Sequence, residues 1–114
     1  MEKQVRRGEV WLAYVDKLRP LLVLSRDTTS LVEGIIIVPP ANIDIRGEAA
    51  EVSIGPSEGV EDDSVVRVAL PRPGRINCNW LISVPETELV KCMGSLSPAK
   101  LNQVDELLKL GGLK

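Results

Sequence analysis

Residues 9–25 read EVWLAYVDKLRPLLVLS. Two runs dense in Val, Leu and Trp lie here, the first preceded by Gly8 and the second by Pro20. Short apolar runs closed by Gly or Pro are strand signals, so the stretch predicts strands over 9–15 and 21–25. Further along, Ile35-Ile36-Ile37-Val38 is a continuous β-branched run stopped by Pro39-Pro40, which suits a strand buried on both faces. Residues 49–54 alternate instead, with Ala50, Val52 and Ile54 on one side and Glu51 and Ser53 on the other. Strands are also expected over 64–69, 76–84 and 90–96. Pro71-Arg72-Pro73-Gly74 forms a turn between two of them, because prolines and glycine cannot continue a ladder. A short helical turn fits 85–88. The C-terminal helix is better marked. Ser97 is its N-cap and Pro98 its first residue, Leu101, Val104, Leu107 and Leu108 recur at helical spacing, and Gly111-Gly112 ends it. The pattern predicts one domain over 1–114, a mainly β, small antiparallel barrel or curled sheet with a C-terminal helix.

Composition narrows the chemistry. The chain has 114 residues, 44% hydrophobic and 26% charged, the balance of a globular protein. Aromatic residues make up only 3%, so the core must be built from Val, Leu and Ile. Histidine is absent. That removes Ser-His-Asp and Cys-His nucleophile systems, histidine acid/base pairs and His-containing zinc sites. Cys78 and Cys92 are too far apart for a CxxC site and are expected to be buried free thiols in a reducing compartment. Met1 leads into charges rather than an apolar leader, and the run 35–38 is far short of the roughly 20 residues that span a bilayer. A soluble, cytoplasmic chain with no membrane partner is expected. The net charge of -2 argues against a constitutively basic nucleic-acid binder, but the charges are unevenly placed. Residues 31–64 hold eight acids and one base, Arg46, whereas 65–83 hold Arg67, Arg72 and Arg75 and no acid. The acidic stretch Glu58, Glu61, Asp62, Asp63 is expected to be a solvated loop turned away from any phosphate.

Several motifs follow one another in order: Arg7-Gly8-Glu9-Val10-Trp11, then Arg19-Pro20-Leu21-Leu22-Val23-Leu24-Ser25, then Ile36-Ile37-Val38-Pro39. Ser64-Val65-Val66, Ile76-Asn77-Cys78-Asn79, Ser83-Val84-Pro85 and Gly94-Ser95-Leu96-Ser97 continue the series. Together they resemble the MazF/PemK family of toxins of type II toxin–antitoxin systems over nearly the whole chain. The resemblance implies an SH3-like barrel with a C-terminal helix, assembled as a homodimer. It implies a metal-independent, sequence-selective endoribonuclease without a cofactor, acting on single-stranded RNA. The RNA's own 2'-hydroxyl would be the nucleophile and a cyclic phosphate the product. A small antitoxin would mask the RNA groove with a flexible acidic segment. On this resemblance Arg19 matches the family's catalytic arginine, and Pro20 would hold it at a rigid strand edge.

The chain also departs from the family. Where members place Thr or Ser beyond the third strand, it has Ala41, leaving Asn42 as the nearby polar group to contact RNA. Where some members carry Arg and Asp around the cysteine, it has Asn77 and Asn79. By that resemblance Asn79 is expected at a catalytic position and Asn77 as an RNA contact. Asparagine binds a base edge or a phosphate but is no general base near neutral pH. Extra residues between Val66 and Ile76 bring Arg67, Arg72 and Arg75 as further phosphate contacts. Asp16, Asp27 and Glu51 are carboxylates that could supply a base, with nothing in their spacing to choose among them. Trp11, lying mid-strand, is expected in the core, while Trp80 could stack on a base. Two other readings stand beside the nuclease: a catalytically weakened relative that only binds RNA or antitoxin, and, less well matched, a gyrase-poisoning relative on a related fold.

Overall fold

A computed structural model describes residues 5–26, 31–39, 49–60, 62–69 and 81–110. Within them lie β1 (Glu9–Tyr14), β2 (Leu18–Arg26), β3 (Leu31–Val38), β4 (Ala49–Ile54), β5 (Ser64–Ala69), β6 (Leu81–Pro85), β7 (Leu89–Ser95) and α1 (Pro98–Leu110). Short 3-10 turns occupy Pro56–Glu58 and Glu86–Glu88. All strand pairs are antiparallel, in the order β4-β5-β3-β2-β1-β7, with β6 also on β3.

β3 is the branch point. Its first five residues pair with β6, from Leu31 opposite Pro85 to Ile35 opposite Leu81. Its last two, Ile37 and Val38, pair instead with Val66 and Val65 of β5. β2 takes the other edge. The run β6-β3-β2-β1-β7 would measure about 19 Å between its outer strands if flat, at about 4.8 Å per strand. Yet only Glu86–Glu88 joins β6 to β7. A link of four Cα steps reaches about 14 Å, so the sheet must curl until its edges approach. Register shifts in the β1–β7 and β2–β3 ladders add the local twist that such curling needs.

Curling buries both faces of β3. Ile35 and Ile37 join one cluster with Val10, Leu22, Leu24, Val52, Ile54, Val66 and Val68, closed by Val104, Leu107 and Leu108 of α1. Val32 and Ile36 join a second with Trp11, Ala13, Leu21, Val23, Val84 and Leu89. The isoleucine run therefore does what its lack of alternation predicts, with neighbours pointing to opposite faces and both faces dry. Trp11 is core, as expected, and its indole N–H donates to Glu9 Oε1 at 3.2 Å. Ser97 caps α1 by accepting from the Lys100 backbone N–H at 3.2 Å. Arg7 ties the helix to β2, pairing with Asp105 and donating to the Leu24 carbonyl at 3.2 Å.

Some expectations change. β2 starts at Leu18 and runs through Pro20, which stands opposite Leu12, whereas β3 pairing begins only at Leu21. The proline thus lies where β2 has one neighbour, and its missing N–H costs no ladder bond. β3 begins at Leu31 rather than residue 35, because β6 pairs with the mixed segment Leu31 to Gly34 that no apolar pattern marks. Glu58 is not part of a solvated loop: it is 7% exposed, and its Oε1 accepts from the Gly55 backbone N–H at 3.0 Å and lies 3.5 Å from Lys100 Nζ. Cys92 is exposed rather than buried, because β7 is the last strand of the sheet path. Cys78, the turn over 71–74 and the first part of the expected strand 76–84 lie outside the described residues.

The turn after Pro56–Glu58 packs backbone to backbone on β7. Gly59 has φ of 102°, and a Cβ there would lie 2.3 Å from the Met93 carbonyl oxygen. Gly59→Ala should therefore cost about 2 kcal/mol or more from left-handed strain and overlap, whereas Gly55→Ala, with nothing within 4 Å, should unfold at an almost unchanged urea midpoint. Leu108→Ala, at a site 2% exposed, should lower stability by about 2–5 kcal/mol in the same measurement.

Candidate active site

β1 and β2 form a hairpin closed by residues 15–17, with the Val15 N–H donating to the Lys17 carbonyl at 3.1 Å. The register sets Tyr14 opposite Leu18 and Ala13 opposite Arg19. Side chains alternate along a strand, and Ala13 and Leu21 both belong to the second core cluster. Arg19 therefore leaves β2 on that same inner face, one step beyond the apolar packing, and its side chain is 32% exposed.

Its guanidinium is bonded to Asp16 of the connecting turn. Arg19 Nε donates to Asp16 Oδ1 at 2.7 Å and Nη2 donates to Oδ2 at 3.0 Å, two near-parallel charge-assisted bonds. The arginine hydrogen bonds hold the Asp16 carboxyl far below its ordinary range, and Asp16 raises Arg19 further. Both stay charged throughout neutral pH. By sign, a depressed carboxyl favours the paired state above its ordinary pKa, and protonation breaks the pair only in strong acid. Of the five guanidinium N–H groups, Asp16 takes the side-on pair. The end-on edge, Nη1 with the second Nη2 hydrogen, has no bond among the described residues and can receive two oxygens of a phosphate.

Arg67 is placed differently. On β5 it stands opposite Glu51 of β4, with Nε 2.6 Å from Glu51 Oε2, and its Nη2 donates to the Pro39 carbonyl at 2.8 Å. Both side chains of the ion pair are largely covered, 16% and 22% exposed. Arg67 thus ties β5 to β4 and to the end of β3, and it engages Glu51, one of the carboxylates weighed as a base. Asn42, Arg72, Arg75, Asn77, Asn79, Ala41, Asp27 and Trp80 lie outside the described residues. The sequence reading passed over Asp16 as one carboxylate among several. Its signal was the three-residue spacing to Arg19 across a hairpin tight enough to bring the two together.

Cys92 is no nucleophile as placed. Partial burial and the facing Glu9 carboxylate push its thiol above the ordinary value, so it is protonated near neutral pH. Among the described residues no three cysteine or carboxylate side chains converge to hold a metal ion, and no helix is long and apolar enough to cross a membrane.

The comparisons with known proteins agree with this architecture. The family model of PemK-like, MazF-like toxins of type II toxin–antitoxin systems matches residues 6–111. A Mycobacterium tuberculosis relative named "Probable endoribonuclease MazF5" is 29% identical over 106 residues, covering 91% of this chain and 89% of the relative. "Probable endoribonuclease MazF2", from the same species, is 27% identical over 106 residues, covering 92% and 95%. Among solved structures, the M. tuberculosis toxin MazF-mt6 superposes with a TM-score of 0.66 at 20% identity, covering 93% of this chain and 98% of that one. An endoribonuclease from a mycobacterial species, solved with its cognate antitoxin, gives a TM-score of 0.64 at 18% identity, covering 99% and 98%. With the curled antiparallel sheet and terminal helix they share, the chain belongs to the PemK-like, MazF-like toxin family of type II toxin–antitoxin systems.

Proposed function

We propose that the chain is an endoribonuclease toxin that cuts single-stranded RNA without a metal or organic cofactor. The observation that carries this reading is the end-on edge of Arg19, open among the described residues on a fixed cation at the rim of the inner face. In the step proposed, a 2'-oxygen attacks its neighbouring phosphorus, the 2'-proton passes to a base, and the 5'-oxygen leaves with a proton. The products are a 2',3'-cyclic phosphate and a free 5'-hydroxyl. Negative charge grows on the non-bridging oxygens in the transition state, and a preoriented arginine fork stabilises it more than it stabilises the ground state. Asp16, driven strongly acidic by Arg19, is a poor proton acceptor, so its place is beside the arginine rather than on the 2'-hydroxyl.

The reading extends to the whole chain as one toxin domain in the cytoplasm, assembled as a homodimer and neutralised by a cognate antitoxin. Family membership and a structural neighbour solved with its cognate antitoxin support the antitoxin partner, and the homodimer is the arrangement the resemblance implies. Asn42 and Asn77 remain proposed RNA contacts, Asn79 a proposed catalytic-position residue, and Arg72 and Arg75 proposed phosphate contacts. Ala41, Asn77 and Asn79 in place of hydroxyl, Arg and Asp favour a second reading, a member that binds RNA but cleaves it weakly.

Both readings meet in one experiment. Long single-stranded RNA incubated in EDTA should be cut at defined sites, with 2',3'-cyclic ends, at a rate about 10²-fold or more above that of Arg19→Ala. Equal rates for the two proteins would overturn Arg19 as the catalytic cation. Salt-sensitive binding with no product would establish the weakened member instead. Arg67→Ala separates structure from chemistry. It should lower stability by about 1–3 kcal/mol, since it removes the ties to Glu51 and the Pro39 carbonyl, and cleavage measured per folded molecule then shows whether Arg67 also meets phosphate.

A further inference from the structure

We propose that Asp16 is the positioning residue of the Arg19 site, a hairpin carboxylate that grips one edge of the guanidinium and thereby aims the other at a phosphate. This rests on the reading of Arg19 as the cation that meets the RNA phosphate, and it names the group that makes that cation effective.

The stereochemistry carries the argument. A guanidinium offers two forked edges to an oxyanion, a side-on edge made by Nε and Nη2 and an end-on edge made by Nη1 and Nη2. Asp16 bonds to Nε and Nη2, at 2.7 and 3.0 Å. It therefore takes the side-on edge, and a carboxylate and a phosphate can occupy the same arginine at once without competing for donors. A free arginine side chain carries about 2 kcal/mol of rotamer entropy. Holding Nε as well as Nη2 fixes the plane of the guanidinium, which a single bond would leave free to rotate.

The hairpin makes the grip possible. Only residues 15–17 separate β1 from β2, and the bond from the Val15 N–H to the Lys17 carbonyl closes that turn. Pro20 limits the backbone on the far side of Arg19. The Asp16 side chain is 67% exposed, so it is held by the arginine and the turn rather than by burial. An exposed ion pair contributes little to folding stability. Its effect is then expected in catalysis, where small displacements of a charged donor are expensive.

The test compares Asp16→Ala and Asp16→Asn with Asp62→Asn. Asp62 is an exposed acid beside β5, and its replacement controls for the tighter RNA binding that any lost negative charge produces. For Asp16→Ala, kcat should fall about 10- to 100-fold with KM within about threefold of the Asp62→Asn control. Asp16→Asn should fall less, because its amide oxygen still accepts one of the two bonds, and Asp16→Glu should recover part of the loss. Unchanged kcat, or kcat and affinity rising above the control, would show Asp16 idle or competing with phosphate, and either overturns the proposal.

A second arm needs no turnover. The Arg19 Nε–H resonance should be protected from solvent exchange in the wild type and lose that protection in Asp16→Ala. It should stay protected when an oligonucleotide carrying 2'-deoxy sugars, which cannot be cut, is bound. Loss of protection on binding would mean that phosphate displaces Asp16, which overturns the proposal. Should the wild type fail to cleave any RNA, the nuclease reading falls by itself, and this arm still decides whether Asp16 orients Arg19 toward a bound phosphate.

Discussion

The antiparallel register that β3 shares with three neighbours is the constraint on which the rest of the molecule depends. One eight-residue strand, Leu31–Val38, is paired by β2 along one edge and by β6 and then β5 along the other. A strand used in this way presents side chains to two cores, and Ile35, Ile36 and Ile37 are divided between them. Because β6 and β7 are joined by so short a turn, the sheet around β3 has no flat solution. The curl that follows buries a second face with no second layer of helices, which suits a chain with little aromatic volume to spend.

The same curl prepares the site. The β2–β3 ladder stops at Leu21 and Ile36, where β3 turns to β5, so the residues before Leu21 have β1 as their strand partner. Arg19 sits on that stretch, on the inner face but past the apolar packing, where a charged side chain can follow a core-facing direction and still reach water. Placing a cation there by alternation alone would leave its tip mobile. The turn at residues 15–17 brings Asp16 back alongside it, so orientation comes from a local contact and direction from the sheet.

Arg19, expected as the catalytic cation, and Arg67, expected as a phosphate contact, have different surroundings. Arg67 is largely covered and meets Glu51 and the Pro39 carbonyl, which makes it a tie between β5, β4 and the end of β3. Arg19 meets a carboxylate on one edge and keeps its other edge open among the described residues. Glu58 shows the same lesson with the opposite sign. Followed in sequence by the exposed Asp62 and Asp63, it is instead buried, satisfied by the Gly55 N–H and approached by Lys100.

What the sequence determined by itself is local. Strand positions, the apolar run that must be buried on both faces, the Ser97 cap with Pro98 behind it, the exclusion of histidine chemistry and the ordered motifs of the toxin family were all legible. Each depends on residues close in the chain, through side-chain alternation, backbone restriction or composition. Pairing and partnership were decided only by the tertiary structure. β3's first residues carry no alternation signal and become strand because β6 lies beside them. Pro20 is accepted within β2 because the β2–β3 ladder stops at Leu21 and Ile36. Asp16 gains its meaning through a turn tight enough to make its three-residue spacing to Arg19 count, and Arg67 changes its own through strand partners that no spacing rule selects. The physical reason is that a charge is defined by the groups that solvate it, and in a curled sheet those groups come from strands distant in sequence or from a turn whose tightness is known only once the strands have paired.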